Sequence, residues 1–368
     1  VPTQTDDDLA LLRSSLREFF AEHYRTGDLA ECDPTSEHSG TVWKPLTEQL
    51  ALSGLHIPED YGGQGYGFEE LGVALEESGR VLLRSPFFAS TCLAANLLLN
   101  IADEPARQDY LPGIASGTVT ATVTAGESAG IWSAEPSDVV FDDDSGTLSG
   151  TRNAVLDGAT ADVLIVSARH ADGGQVLAVV ERDTPGLVVE PLQTLDFSRP
   201  QAAVEFDRTR ARRLEVPNPV DVLARTYDQA VSCLAAESAG AARACVDMAV
   251  DYAKQRIQFG KAIGGFQSIK HTCADLLVEV ELSTSAAIAA MQAAGNGDDL
   301  TTASSVAKSS VSETFLRVAE ANIQIHGGIG FTWEHDAHLY LRRAASAALL
   351  LGDAAQHRNR LADRFGTS

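Results

Sequence analysis

Arg256, Phe259 and Gly260 form an R-x-x-F-G run within DYAKQRIQFGKAIGGFQSIKHTCAD, Asp251 to Asp275. A guanidinium is a planar fork of donors that matches phosphate oxygens. An arginine at a helix C-terminus also sits well against the helix dipole, so the residue types permit a phosphate contact or a simple cap. Further along, QIHGGIGF (Gln324 to Phe331) places three glycines in four positions, and glycine lets a backbone approach a ligand closely. Both stretches need helices to hold them. Upstream of Arg256, Tyr227, Val231, Leu234, Ala241, Cys245, Met248 and Tyr252 recur every three or four residues; downstream, Ile269, Cys273, Leu276, Val280, Ala287 and Ala290 do the same. That spacing predicts two antiparallel helices with Arg256 and Phe259 at their junction. A third helix, through Ala307, Val311, Phe315, Val318 and Asn322, feeds the glycine-rich run, while Ala235, Ala236, Ala239, Gly240 and Ala242 allow close helix approach.

The rest of the chain changes texture twice. From Asp6 to about Leu111 the pattern is helical, starting with Leu9, Leu12, Leu16, Phe19 and Phe20, and is broken by IPEDYGGQGYG, whose proline and glycines force a loop. From Val119 to about Phe206 short β-type runs follow, among them TVTATVT, VLIVSAR and VLAVVER, separated by turn residues.

QRIQFGKAIGGFQSIKH and IQIHGGIGFTWEHDAHLYLRR resemble the C-terminal helical domain of the acyl-CoA dehydrogenase family, and GLHIPEDYGGQGYGFEELGVALEESGR (Gly54 to Arg80) resembles its N-terminal helical signature. The resemblance covers nearly the whole chain. It implies an α+β fold with an N-terminal all-α domain (1–118), a middle β-domain (119–215) and a C-terminal four-helix bundle (216–368). It also implies FAD chemistry that removes hydrogens from Cα and Cβ of an acyl-CoA. In the family each FAD lies between subunits. By resemblance Arg256 meets the pyrophosphate of the neighbour's FAD, Phe259 packs at the adenosine end, Gln267 adds a polar contact, and Gln324 with the Gly327–Gly328 backbone lines the dinucleotide.

The reaction needs a carboxylate to take the α-proton while the flavin takes hydride from Cβ. Family members place that base just before a glycine in the last helical hairpin, where this chain has Leu351 followed by Gly352, or ten residues before a glycine of the long helix, where it has Ala230. Neither accepts a proton. Asp353 lies two residues from the first place, and Glu237 lies about two helical turns, ~10 Å, from the second. The flavin-facing W-I-T-N-G segment is also altered, with Ala154 for the tryptophan and Leu156 for the threonine, and the preceding loop reads TAGESAGIW, where Trp132 offers an aromatic. An intact dinucleotide half beside a missing base resembles the non-catalytic subunit of heteromeric, α2β2-type acyl-CoA dehydrogenases from actinobacteria, some acting on sterol side-chain CoA thioesters. The implied partners are a catalytic subunit and, as electron acceptor, an electron-transfer flavoprotein. Two other readings remain open: a self-sufficient homo-oligomer using Asp353, and a non-enzymatic acyl-CoA- or protein-binding paralogue.

Bulk properties narrow the classes. In 368 residues, 28 Lys and Arg face 51 Asp and Glu, a net charge of −23, which opposes binding to nucleic acid or anionic membranes. Cys32, Cys92, Cys233, Cys245 and Cys273 lack C-x-x-C spacing and read as reduced thiols of a cytoplasmic protein. The acidic start, VPTQTDDDLALL, gives no signal-peptide pattern. His326, Glu334, His335 and Asp336 lack zinc-ligand spacing, and Ser128 in GESAG lacks the strand-to-helix elbow of a serine nucleophile.

Overall fold

The apolar stripe that begins at Leu9 becomes α1 (Asp6–His23), and the helical pattern continues as α2 (Gly40–Glu48), α3 (Phe68–Arg80), a π-helical turn (Phe88–Ala95), α4 (Asn96–Asn100) and α5 (Glu104–Ser116). The structure, a computed structural model, describes residues 6–31, 40–125, 127–128, 131–132, 138–170 and 173–366. Cys32, most of the GESAG loop, and the side chains of Ser128 and Trp132 lie outside the described residues. The chain divides into two units: 1–31, 68–83 and 231–368 form one, and 32–67 with 84–230 form the other.

The second unit is built on a mixed sheet. Its strands are β1 (Ala121–Thr124), β2 (Glu127–Ser128), β3 (Ile131–Trp132), β4 (Val140–Asp142), β5 (Thr147–Leu156), β6 (Val163–His170), β7 (Gln175–Glu181), β8 (Leu187–Leu192), β9 (Gln201–Arg210) and β10 (Arg212–Arg213). The order is β10-β7-β6-β4-β5-β9-β8, with β1 parallel to β6, while β2 and β3 pair separately. The alternating run of β5 buries Leu148, Arg152 and Val155, as a one-faced strand should. Phe141, Leu148, Leu164, Val166, Val180, Val204 and Phe206 make its core. Here Asp103 caps α5 through the Ala106 N–H and also accepts from the Glu215 N–H, fixing the segment that leaves the sheet.

The helices that follow are α6 (Pro219–Gln255), α7 (Gln267–Asn296), α8 (Leu300–His326), α9 (Ala337–Leu349) and α10 (Ala354–Phe365). Within the first unit the small residues of α6 do what their size predicts. A Cβ on Gly240 would stand 1.8 Å from the Glu76 carbonyl oxygen, and one on Gly79 would stand 1.8 Å from that of Glu237. α3 and α6 therefore cross backbone to backbone, and only glycine fits at those two positions. The buried Glu77 carboxylate adds a charged clasp, accepting from Arg13 at 2.8 Å and from Arg17 at 2.8 and 3.0 Å, which ties α1 to α3.

Candidate dinucleotide-binding hairpin and loop

α6 ends where the helical pattern meets Phe-Gly. Beyond it β11 (Ile257–Gln258) and β12 (Lys261–Ala262) pair antiparallel, Ile257 opposite Ala262 and Gln258 opposite Lys261. The two-residue turn is Phe259 and Gly260, both with positive φ, 51° and 79°, the backbone that a tight hairpin demands at both central positions. The Arg256 N–H donates to the Tyr252 carbonyl at 2.9 Å, and its own carbonyl accepts from the Ile263 N–H at 2.8 Å. Its backbone thus closes helix and hairpin while its side chain is exposed. No ion pair holds that guanidinium among the described residues. Phe259 is 92% exposed, with an edge contact to Phe266 at 6.1 Å. Lys254, Arg256, Lys261 and Lys270 stand here with no carboxylate between Asp251 and Asp275, a cationic island on an anionic chain.

The glycine loop meets the same cluster from the end of α8. Ile325 packs with Ala249, Ala253, Tyr252, Ile263 and Ile269, so the ends of α6 and α8, the hairpin and the start of α7 are joined through one apolar contact set. Gln324 is exposed, and its carbonyl accepts from the Gly327 N–H. Gly327 has φ 64° and ψ −142°, a region closed to residues with a Cβ. A Cβ on Gly327 or Gly328 would meet nothing within 4 Å, whereas one on Gly330 would lie 2.9 Å from His326 Cβ. Gly330 is required by packing within the chain; Gly328 is not. Gln267, exposed on the first turn of α7, places its amide nitrogen 2.5 Å from His271 Nε2. Arg256, Phe259, Gln267, Gln324, Gly327 and Gly328 are therefore gathered on the elements of this cluster. The rings of His326 and His335 lie 4.2 Å apart, tilted by 48°, and among the described residues no group of three or more His, Cys, Asp or Glu is placed to hold a metal.

The base positions are of a different kind. Ala230 is fully buried and Leu351 is 2% exposed. Leu351 holds φ 57°, and His357 Nε2 donates to its carbonyl at 2.8 Å. Lys308, itself buried, donates to the Ala347 carbonyl at 2.6 Å and the Ala348 carbonyl at 3.2 Å, pinning the end of α9 just before this turn. Asp353 is the N-cap of α10: its carboxylate accepts from the Gln356 N–H at 2.8 Å, and the Gln356 side chain accepts from the Asp353 N–H at 2.7 Å. Glu237 is 6% exposed and ion-paired with Arg343 at 3.3 Å. Both neighbouring carboxylates are occupied in holding structure.

Residues 6–118 match the acyl-CoA dehydrogenase N-terminal domain and residues 222–366 the acyl-CoA dehydrogenase C-terminal domain. The acyl-CoA dehydrogenase IpdE2 of Mycobacterium tuberculosis is 31% identical over 94% of this chain and 93% of its own length. The chain belongs to the acyl-CoA dehydrogenase family. Acyl-CoA dehydrogenase FadE34 of the same organism is 39% identical over 86% of the chain, but the chain spans only 41% of FadE34's length. Among solved structures, a variant of the Tcur3481-Tcur3483 steroid ACAD has a TM-score of 0.85 and 30% identity, with 98% of each chain covered.

Acyl-CoA dehydrogenases are FAD-dependent oxidoreductases, and FAD supplies the hydride acceptor. The residues present fit one end of it. The open glycine backbone at 327–328 and an exposed arginine without an ion pair are what a dinucleotide's phosphates require. At the β-sheet end, the two described positions that the resemblance assigns to the flavin ring carry Ala154 and Leu156. Ala154 is exposed with φ 57°, at the irregularity of β5 between Arg152 and Val155. Leu156 is 6% exposed, and its carbonyl accepts from the Thr122 hydroxyl at 2.7 Å. One buried hydroxyl there, Thr124 Oγ1, has no hydrogen-bond partner among the described residues. Among the described residues no helix is long and apolar enough to cross a membrane.

Proposed function

We propose that this chain is the non-catalytic subunit of a heteromeric acyl-CoA dehydrogenase and completes the FAD site of a catalytic partner. The observation that carries the reading is the base turn, where a leucine that is 2% exposed stands in place of the carboxylate. Arg256, Phe259, Gln267, Gln324, Gly327 and Gly328 lend the adenosine-pyrophosphate contacts, and the partner supplies the base and the flavin-ring pocket. The strongly anionic composition suits a cytoplasmic α2β2 complex that passes electrons to an electron-transfer flavoprotein. Two features of the relatives support a paired arrangement. The name of the Tcur3481-Tcur3483 steroid ACAD carries two components, and FadE34 extends far enough beyond its 41% match to contain a second chain of this size. The former also favours a sterol side-chain CoA thioester as the complex's substrate. On this reading the domains run 1–118, 119–215 and 216–368. The self-sufficient alternative has no supporting observation, because Asp353 and Glu237 are engaged elsewhere.

The test is co-purification with the product of a neighbouring gene, followed by a flavin count and turnover with an artificial electron acceptor. The expected result is about one FAD per two chains and no dehydrogenation of any acyl-CoA by the chain alone. One FAD per chain in an active homo-oligomer overturns the reading.

A further inference from the structure

We propose that His326 is a positioning residue for the loop at 327–331 and works only as the neutral Nδ1–H imidazole, so that the loop loosens when the ring takes up a second proton. His326 is the last residue of α8 and is 4% exposed. Its Nδ1 lies 2.8 Å from the Asn322 carbonyl oxygen, so Nδ1 carries the hydrogen and donates it. Among the described residues Nε2 is buried without a hydrogen-bond partner. The rings of Tyr252 and His335 both lie 4.2 Å away, and Gly330 folds back so closely that a Cβ there would stand 2.9 Å from His326 Cβ. Gly330 of the loop thus packs on the Cβ of His326 and the Ile323 backbone, while the imidazole meets the His335 ring just past the loop.

A second proton would go to Nε2. It would add a donor and a full charge where no acceptor stands, and burying an unpaired charge is strongly unfavourable. His335 offers no relief, since its Nδ1 accepts from the Ala337 N–H at 3.1 Å and is itself tied to an unprotonated nitrogen. The charged or titratable groups packed around the pair are few. Tyr252 comes from α6, Cys273 of α7 belongs to the shared apolar cluster, and Asp336, His338 and Arg342 lie beyond His335. Among the described residues no carboxylate makes an ion pair with either ring. Burial, and then the neighbouring His335, hold His326 below its ordinary value of 6.5, against a smaller opposing effect of the Asn322 hydrogen bond. The sign follows. With the folded value depressed, the unfolded or opened form binds the proton more readily, so loop stability is complete above the ordinary value and is lost as pH falls below it.

The consequence for cofactor retention rests on the function proposed above; the loop transition itself does not. Long-range imidazole nitrogen NMR on the isolated chain should find the Nδ1–H tautomer of His326 at neutral pH. Amide hydrogen exchange at 327–331, corrected for its intrinsic pH dependence, should rise by about tenfold or more between about pH 8 and about pH 5. His326→Phe keeps a ring in the stack without a proton to gain and should flatten that rise. An Nε2–H tautomer in the wild type overturns the proposal without any variant. So does acid-induced opening that survives His326→Phe, or that disappears only in His335→Phe. If the loop opens as described but FAD release from the holo-complex does not follow the same pH profile, the proposed use of the loop in cofactor binding fails while the switch stands.

Discussion

Among the turns of this chain that hold a non-glycine residue in the left-handed region, two are opposites. Leu351 has φ 57° and is 2% exposed; Phe259 has φ 51° and is 92% exposed. Such a conformation costs about 1–2 kcal/mol and persists only where something over-determines it. At Leu351 the compensation lies within the chain. His357 bonds its carbonyl, Lys308 pins the preceding helix end, and the Asp353–Gln356 box starts the next helix. At Phe259 the chain supplies a short hairpin, closed by the Ile263 N–H to the Arg256 carbonyl, and an edge contact to Phe266. A strained residue sealed inside is a finished piece of structure. A strained aromatic pointed outward on a cationic hairpin is what the proposed dinucleotide or subunit contact calls for.

The harshest way to break this comparison is to return a carboxylate to the sealed turn. Leu351→Glu buries an acid with no partner prepared for it, and the expected loss of stability is roughly 2–5 kcal/mol at neutral pH. Burial would raise the introduced carboxyl's folded-state pKa above its unfolded value. Stability should therefore recover as pH falls through the folded value, because the neutral acid is the form that tolerates burial. Thermal unfolding against pH measures this. An unchanged melting temperature at neutral pH would mean that the turn is open to water and the contrast is false. The lone variant should still show no turnover, since the β-sheet end lacks the flavin-ring partners at Ala154 and Leu156.

Arg256→Ala addresses the outward turn. A charge-assisted phosphate contact contributes about 1.5–3 kcal/mol, so FAD retention in the complex should fall by on the order of ten- to a hundredfold. Lysine should restore it only in part, since the planar fork is lost. The capping alternative predicts unchanged FAD dissociation with about 1 kcal/mol of lost stability. FAD release from the intact oligomer separates these outcomes.

Periodicity made the helices legible because each buries a stripe at helical spacing, and the small residues around Gly240 announced the close crossing that the Glu76 carbonyl confirms. The R-x-x-F-G and glycine-rich runs were legible because tight turns restrict residue type. Other features were not. The capping role of Asp353 depends on where α10 begins, which a pattern of one apolar stripe leaves loose by a residue or two. The role of His326 depends on contacts from α6 and from the turn before α9, which no local window contains. The division of the chain into units joins α1 and α3 to the C-terminal helices, through contacts such as the Arg80–Asp247 ion pair at 2.8 Å, whose pairing linear sequence does not encode.

A smaller effect tests Asp353 itself. Replacing it with alanine removes the cap of α10 and should cost about 1 kcal/mol of stability. Asp353→Asn, which keeps an oxygen acceptor, should cost less. Neither substitution should alter turnover of the complex beyond the change in folded fraction. A kcat that collapses in Asp353→Asn while the melting temperature holds would restore the self-sufficient reading and make the carboxylate a base.

The finest discrimination comes from Phe259→Gly. Glycine adopts the positive φ of this turn freely, which relieves about 1–2 kcal/mol of backbone strain. It also gives the unfolded chain more freedom, which takes back about 0.5–1 kcal/mol. With the ring 92% exposed, little packing is lost, so the isolated chain should be unchanged or more stable by up to about 1 kcal/mol. The assembled complex should respond in the other direction, losing FAD affinity or subunit affinity because the outward aromatic is gone. Opposite signs in the two measurements are the signature of a residue kept for what lies outside its own chain. If the isolated chain is instead destabilised by several kcal/mol, Phe259 is anchored from within, and the two turns are alike after all.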